Sequence, residues 1–197
     1  MDERSERIIQ AAVELAERDG YDAVKLRELA DLAGVALATV YRRFSCKEDI
    51  LAAALDQQVA VASEMMRGTV IPGDTPQERL RWFFREATDA LTQQPKLSAA
   101  MLRTVASGVP ELAERVIRYH GRTTEMILAV YRGGFSEDLP SESERLLATL
   151  LQNVWFAALV GWTGGAIPQE DIIEQIDAAV ELLIAGMASR PPRQPRP

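Results

Sequence analysis

The chain has 197 residues, of which 47% are hydrophobic and 26% charged, a composition typical of a soluble globular protein with one or two domains. Its formal net charge of −7 excludes a protein that coats nucleic acid through general basicity. The single cysteine excludes a disulfide framework or a cysteine zinc site within one chain. The first residues are charged and form no apolar run, so we expect no secretory leader and a cytoplasmic protein.

The first predicted helix covers residues 5–18. Ile8, Ala12 and Leu15 recur at helical spacing, and Gly20 ends the pattern. Two shorter helices are predicted to follow it directly.

Residues 26–47 have the sizes and spacing of two short helices joined by a tight turn. Ala30 is small where the helices must touch, and Gly34 lies four residues later, where the chain must turn with positive φ. Val35 supplies an apolar anchor after the turn, and Val40 returns to the inner face of the second helix. The pattern indicates a helix-turn-helix, whose second helix enters the major groove of DNA.

Side chains that can contact phosphates or base edges cluster in this motif. Five cations and two carboxylates lie between Lys25 and Lys47, a local charge of +3, so the rest of the chain carries −10. Arg27 is expected to clamp the DNA backbone, and Leu37 and Ala38 to touch thymine methyl groups. The predicted DNA-binding residues are Lys25, Arg27, Leu37, Ala38, Thr39, Tyr41, Arg42, Arg43 and Lys47.

Several residues of the second motif helix have an alternative role. Tyr41 is expected to donate its hydroxyl to a phosphate, but it could also be a core aromatic residue. Arg42 and Arg43 are expected to contact phosphate or guanine, the alternative being solvated charges. Phe44, one helical turn after Tyr41, is expected in the core.

The run from Ala33-Gly34-Val35 through Thr39-Val40-Tyr41-Arg42-Arg43-Phe44 to Lys47 resembles the TetR family of bacterial transcriptional regulators. The resemblance implies a DNA-binding helix-turn-helix and a phosphate contact by Lys47 at the start of the fourth helix. Two positions depart from the family pattern. Lys25 stands where a threonine commonly caps the first motif helix, and Ala36 where a serine commonly caps the second. This puts two hydroxyl contacts to phosphate in doubt, although Lys25 is long enough to reach a phosphate itself.

No group of side chains in the sequence indicates catalysis. Cys46 lies at a predicted helix start, where it either fills a capping position or serves as a redox switch. His120 is the only histidine, so a metal site is not expected. The sequence has no glycine-rich phosphate loop, nucleophile elbow or zinc-protease motif. We therefore expect no catalytic residue, metal or cofactor.

The remainder of the chain is predicted to be helical. The further helices are predicted at residues 45–67, from 76, and at 96–106, 110–132, 142–163 and 169–188. Thr75 with Glu78 has the spacing of a capping box, and Pro76 suits the first helical position. The predicted fold class is all-α with about nine helices: an N-terminal three-helix helix-turn-helix domain at 1–48, a helical ligand-binding and dimerisation domain at 49–190, and a disordered tail at 191–197.

Residues 146–169 carry no charge, which raises the alternative of a membrane-spanning helix. Gln152, Asn153, three glycines and Pro168 interrupt the stretch, so we expect a core or interface helix and no membrane contact. The last two helices are apolar over more than one face, and in the TetR family they form a four-helix dimer interface. The predicted interface residues are Leu151, Leu159, Trp162, Ile176, Val180, Leu183 and Ile184.

A ligand cavity is predicted between the fifth, seventh and eighth helices. Its expected residues are Trp82, Phe83, Met101, Tyr119, His120, Thr124, Met126, Asn153 and Trp155, each with an ordinary core position as the alternative. Asn153 has the strongest claim, because a buried amide among apolar neighbours needs a hydrogen-bond partner. The few charges favour a large, mostly apolar ligand. The helix break at Gln94-Pro95 and the run from Asn153 to Trp162 resemble actinobacterial regulators of sterol and lipid catabolism, whose effector is an acyl-CoA thioester.

These features predict a homodimeric, ligand-responsive regulator that acts as a repressor on a palindromic double-stranded DNA operator. A mostly apolar small molecule, such as a lipid or sterol acyl-CoA, is expected to release it. One alternative is a ligand-binding or adaptor dimer without sequence-specific DNA binding. Another is an enzyme on a helical bundle, which the missing catalytic constellation disfavours.

Overall fold

The computed structural model describes residues 2–188, which contain nine α-helices and two 3-10 turns. The helices are α1 (Glu3–Asp19), α2 (Leu26–Leu32), α3 (Leu37–Arg43), α4 (Lys47–Arg67), α5 (Pro76–Thr92), α6 (Pro95–Ala106), α7 (Ala113–Arg132), α8 (Glu142–Thr163) and α9 (Gln169–Ala188). The 3-10 turns are Tyr21–Ala23 and Pro110–Leu112. The all-α prediction is confirmed for this part of the chain. The tail predicted at 191–197 lies outside the described residues.

The turn between α2 and α3 has the hydrogen bonds of a Schellman motif. The Val35 amide donates to the Ala30 carbonyl at 3.0 Å, and the Gly34 amide donates to the Asp31 carbonyl at 3.2 Å. Gly34 has φ of +63°, a left-handed value that strains any residue with a Cβ. The predicted glycine turn is therefore confirmed, with α3 starting three residues after it.

Side-chain caps mark the start of some helices and are missing from others. The predicted capping box of α5 is confirmed, because the Glu78 amide donates to Thr75 Oγ1 at 3.2 Å and the Thr75 amide donates to Glu78 at 3.1 Å. Lys25 and Ala36 occupy the cap positions of α2 and α3 and make no side-chain cap. The two helix-turn-helix elements therefore begin with backbone N–H groups that lack a side-chain acceptor. Cys46 occupies the cap position of α4, also without a side-chain cap.

Two apolar clusters fill the interior. The first joins α1, α2, α3 and the first half of α4, and Leu97, Met101 and Tyr119 from α6 and α7 complete it. The second lies among α5, α7, α8 and α9. Because Leu55 belongs to the first cluster and Met66 to the second, α4 links the two. The domain boundary at residue 48 stays a prediction.

Ion pairs join the helices of the larger, C-terminal part. The nitrogen–oxygen distances are 2.6 Å for Arg115–Asp49, 3.0 Å for Arg122–Asp56, 3.0 Å for Arg85–Asp177 and 2.8 Å for Arg132–Glu144. Arg132 donates two hydrogen bonds to the Glu144 carboxylate and lowers its pKa to about 2. Asp49 also accepts a hydrogen bond from the Ser45 amide at 3.0 Å, so it holds the start of α4 as well as α7.

By length and composition alone, α8 could cross a membrane. It packs against α6, α7 and α9, yet only 39% of its most apolar 18-residue window is buried within the chain. Its exposed side carries a row that we call the α8 stripe, formed by Leu146, Leu150, Asn153, Ala157 and Val160. Intervals of four and three residues place these side chains on one helix face, so α8 has a core side and a mostly apolar side that residues 2–188 leave exposed.

The predicted dimer-interface residues need a correction. The fully buried ones are Leu151, Leu159, Ile176 and Val180, each 0% exposed. They belong to the second cluster and cannot form an interface. Trp162, Leu183 and Ile184 are partly exposed and stay predictions. The error arises because α8 and α9 are apolar almost all round, so their composition does not reveal which side faces the core.

Candidate nucleic-acid interface and ligand cavity

α3 presents one exposed face, formed by Ala38, Tyr41 and Arg42. Tyr41 is 59% exposed, whereas Val40 and Phe44 are buried in the first cluster. Spacing of three and four residues places the exposed side chains on one side of the helix. Phe44 is therefore confirmed as a core residue, and the alternative of a buried Tyr41 is wrong.

The two arginines at the end of α3 have different partners. Arg43 forms an ion pair with Asp2 and donates to Ser5 Oγ at 2.9 Å, both at the start of α1. The hydrogen bond from the Ser5 amide, together with the Arg43 guanidinium, lowers the pKa of Asp2 to about 2. Arg42 Nη2 donates to Thr39 Oγ1 at 3.0 Å, and no carboxylate among residues 2–188 pairs with it.

Two of the predicted DNA contacts, Arg43 and Thr39, have partners within the chain and stay predictions. Arg43 is neutralised by Asp2, so it ties α3 to α1. Thr39 is 8% exposed, and its hydroxyl accepts a hydrogen bond from Arg42. Leu37 packs partly against the first cluster, which leaves only part of its side chain for a thymine methyl. The physical reason is that a seven-residue helix must use much of its circumference to pack.

The other predicted cations lie around the two motif helices. Lys47 Nζ, at the start of α4, is 3.8 Å from the centre of the Tyr21 ring and donates to the Tyr21 carbonyl at 3.3 Å. Lys25 is exposed and lies 3.5 Å from a carboxylate on the next turn of α2, and Arg27 is exposed. Among the described residues, no carboxylate forms an ion pair with Arg27, Arg42 or Lys47. Three cations of this region therefore have no ion-pair partner among the described residues, although Lys47 interacts electrostatically with Glu48.

A cavity of about 320 Å³ lies among α4, α5, α6, α7 and α8. Its apolar wall includes Leu55, Val59, Phe83, Leu91, Met126 and Trp155. Its exposed lining residues, which mark the mouth, are Gln58, Ala62, Ala90 and Gln94. No charged side chain is part of the lining. The cavity is therefore suited to an apolar molecule.

Four of the predicted ligand residues line this cavity: Phe83, Tyr119, Met126 and Trp155. Trp155 Nε1 donates to the buried Thr88 Oγ1 at 2.9 Å, which fixes the orientation of the indole. Burial raises the pKa of Tyr119 to about 12, against a smaller lowering by Thr123. The Tyr119 hydroxyl is therefore a neutral hydrogen-bonding group at physiological pH.

The other predicted ligand residues, Trp82, Met101, His120, Thr124 and Asn153, do not line the cavity. Met101 lies in the first cluster, and Asn153 is exposed on the α8 stripe. The buried amide predicted at Asn153 is instead the adjacent Gln152, which was not among the predicted ligand residues. Gln152 Nε2 lies 2.6 Å from His120 Nδ1, and its Oε1 accepts from Thr124 Oγ1 at 2.8 Å. These three side chains form a polar cluster between α7 and α8, where burial lowers the pKa of His120.

Two family models match the chain. One, described as bacterial regulatory proteins of the tetR family, matches residues 8–54. The other, described as the tetracyclin repressor-like C-terminal domain, matches residues 73–183, more than half of the chain. The chain belongs to the TetR family. As a member of this family it is a transcriptional regulator and not an enzyme, and TetR regulators bind DNA and small-molecule effectors, typically as dimers.

Relatives of this TetR regulator include two repressors named KstR. The Mycobacterium tuberculosis protein is 28% identical over 95% of this chain and 83% of its own length, and the Rhodococcus jostii protein is 29% identical over 96% and 86%. A TetR regulator from Rhodococcus sp. RHA1 has a crystal structure with 26% identity and a TM-score of 0.81, covering 94% of this chain and 97% of that one. Thermus thermophilus FadR, solved with lauroyl-CoA, shares the fold at 24% identity and a TM-score of 0.72, over 98% and 100% of the two chains.

Proposed function

We propose that this TetR regulator is a cytoplasmic, homodimeric repressor that binds a palindromic operator through α3 and leaves it when an apolar small molecule fills the cavity. The observation that carries the proposal is the exposed face of α3, where Tyr41 and Arg42 are free of the core and of carboxylates. Their hydroxyl and guanidinium supply donors for phosphate and for guanine. Lys47 adds a phosphate contact at the N-terminus of α4.

A dimer is needed because a palindrome presents two half-sites to two copies of α3. The α8 stripe supplies an apolar surface for a second copy. Packing two such surfaces together removes apolar area from water. In this arrangement Asn153 lies in the subunit interface, away from the ligand.

The lining of the cavity favours a ligand with a long apolar part. An anionic group inside would remain unpaired, because no cation lines the cavity. FadR from Thermus thermophilus and FadR from Bacillus subtilis were solved with lauroyl-CoA and stearoyl-CoA. We infer an acyl thioester whose fatty or sterol-derived acyl part fills the cavity. Its charged coenzyme A part stays at the mouth, beside Gln58 and Gln94.

In this proposal α4 connects the ligand cavity to the DNA-binding helices. It begins at Lys47 and lines the cavity further along with Leu55, Gln58 and Val59. We infer that the ligand binds best when α4 is shifted. In that state the two α3 helices of the dimer no longer have the spacing that fits the operator. Release follows from that difference in affinity, with a coupling free energy on the order of 1–3 kcal/mol.

The first test is selection of duplexes from a random DNA pool by the purified protein at near-physiological salt. We expect a palindrome, and weaker binding of it by Tyr41→Phe than by the wild type or by the control Tyr131→Phe on α7. Recovery of no sequence above background, with and without lauroyl-CoA, would contradict the proposal. That result would favour the ligand-binding or adaptor dimer without DNA binding.

The oligomeric state tests the α8 stripe. We expect a dimer in analytical ultracentrifugation and a monomer after Leu150→Glu. Ile117→Glu is the matched control, because Ile117 is an apolar residue of α7 that is 70% exposed and lies off the stripe. A monomeric wild type, or a Leu150→Glu variant that remains dimeric, would contradict the proposed interface.

The cavity is tested by releasing the protein from the recovered operator with lauroyl-CoA. Coenzyme A alone is the control for the charged part of the ligand. Ala90→Trp narrows the mouth, so this variant should bind the operator normally and resist release. Equal release of the variant and the wild type would place the effector outside this cavity.

A further inference from the structure

Tyr21 contacts cations from two different helices. It lies in the 3-10 turn between α1 and α2 and packs against the first cluster. Lys47 Nζ of α4 is 3.8 Å from the centre of its ring, and the guanidinium carbon of Arg103 on α6 is 4.0 Å from it. The Tyr21 hydroxyl donates to Glu48. One aromatic side chain thus connects the turn, α4 and α6 beside the proposed phosphate contact.

Both contacts that hold Lys47 are electrically neutral. They are the face of the Tyr21 ring and the Tyr21 carbonyl, which accepts from Nζ at 3.3 Å. Glu48, which accepts from the Tyr21 hydroxyl, interacts electrostatically with Lys47 but forms no ion pair with it, whereas Arg43 is paired directly with Asp2. A lysine loses side-chain entropy when a ligand orders it, so a pre-positioned lysine binds a phosphate at a lower entropic cost.

The ring that supports Lys47 is itself fixed. Arg103, which contacts it from α6, also lies 3.7 Å from Asp22 in the same turn. Burial and the hydrogen bond to Glu48 raise the pKa of Tyr21 to about 12. The side chain therefore stays neutral over the physiological range and remains attached at its hydroxyl end.

We propose that Tyr21 is a positioning residue for operator binding, which holds the Lys47 ammonium ready for a DNA phosphate while Arg103 fixes the ring beneath it. The inference rests on the proposed phosphate contact of Lys47. Tyr21 does not need to touch DNA. In a dimer the contribution is made twice, once at each half-site.

A double-mutant cycle on the duplex recovered by the wild type tests this role. Tyr21→Leu removes the ring and keeps the backbone carbonyl, so we expect operator binding about tenfold weaker at fixed salt. In a Lys47→Met background the same substitution should change affinity by less than about twofold, because the group that the ring positions is gone. Equal losses in the two backgrounds would overturn the proposal, since a general structural role does not depend on Lys47.

Two further variants keep the test decisive if Tyr21→Leu does not fold. Tyr21→Phe retains the ring and should bind within about twofold of the wild type, so a tenfold loss there would overturn the proposal. Arg103→Met should cause a smaller loss that disappears in the Lys47→Met background. Lys47→Met alone separates the two inferences: if it binds like the wild type, the phosphate contact itself has failed, and the role of Tyr21 fails with it.

Discussion

The helix-turn-helix and the larger helical part of this regulator use cations in different ways. In the larger part, Arg115, Arg122 and Arg132 are paired with carboxylates across helix contacts. In the helix-turn-helix, Arg42 and Lys47 touch only neutral groups. The number of cations does not distinguish the two regions, because both contain several. Arg79 of the larger part also lacks a carboxylate partner, but the Val130 and Tyr131 carbonyls accept its guanidinium, whereas Arg42 lies on an exposed helix face where a polyanion could reach it.

The largest expected effect is the loss of operator affinity on substituting Arg42. Arg42→Ala removes a contact worth about 1–3 kcal/mol from each half-site, about 2–6 kcal/mol in the dimer, so operator affinity should fall by at least about 30-fold. The unfolding free energy should change by less than about 0.5 kcal/mol, because the side chain is exposed and unpaired. Fluorescence anisotropy and urea unfolding measure the two quantities. Operator affinity equal to that of the wild type would break the link between uncompensated charge and function.

The paired arginines should behave in the opposite way. Arg115→Met keeps an apolar stem but leaves Asp49 without its cation in a partly buried position, at a cost of about 2 kcal/mol in unfolding free energy. Urea unfolding checks this. Adding Asp49→Asn should recover part of the loss, because the uncompensated charge is removed. A single variant as stable as the wild type would show that the pair contributes nothing.

Arg43 offers a direct contrast with Arg42, because the two residues are adjacent in sequence but only Arg43 is paired with a carboxylate. Asp2 has its pKa lowered from 3.8 to about 2, so the stabilisation it provides is complete above the unfolded value and disappears as pH falls towards 2. Arg43→Ala should therefore lower the thermal midpoint at neutral pH, with a difference from the wild type that shrinks in acid. Operator binding should suffer less than in Arg42→Ala. The reverse ranking, at an unchanged thermal midpoint, would show that Arg43 acts as a DNA contact and not as a structural ion pair.

The smallest expected effect concerns His120, a titratable residue whose neutral form the fold favours. Burial lowers its pKa, so the unfolded chain takes up a proton first, and the stability contributed by neutral His120 is lost as pH falls below about 6.5. Protonation also disturbs the hydrogen bond in which Nδ1 faces the Gln152 amide. His120→Gln should flatten the decline in unfolding free energy between about pH 7 and pH 5. Identical slopes in variant and wild type would exclude this role.

Local signals in the sequence were sufficient for the helix-turn-helix and for the capped start of α5, whereas α7 begins at Ala113, after a 3-10 turn, and not at the predicted residue 110. The turn at Gly34 depends on hydrogen bonds between residues at most five positions apart, and the capping box of Thr75 and Glu78 spans three. Such interactions leave a residue pattern that can be recognised without knowledge of the rest of the fold. The same is true of Phe44, whose apolar character and spacing identify it as core.

The sequence alone could not show which of two neighbouring residues faces the core. Arg42 and Arg43, like Gln152 and Asn153, differ by about 100° of rotation around a helix, and only the partner helix decides which one faces inward. For Asn153 the intervals of the α8 stripe contain a signal, because they place it on the face that carries the exposed leucines. The cavity is harder still, since its wall is assembled from five helices.

α4 belongs to both apolar clusters, with the proposed phosphate contact at one end and cavity residues further along. Two sites coupled through one helix obey reciprocity: by whatever factor the effector weakens operator binding, the operator weakens effector binding. In the proposed mechanism, repressor molecules on DNA therefore bind the effector more weakly than molecules off DNA, so the unbound molecules take up effector first. The effector concentration that switches the genes on then depends on how many copies of the repressor a cell holds as well as on the affinity of the cavity.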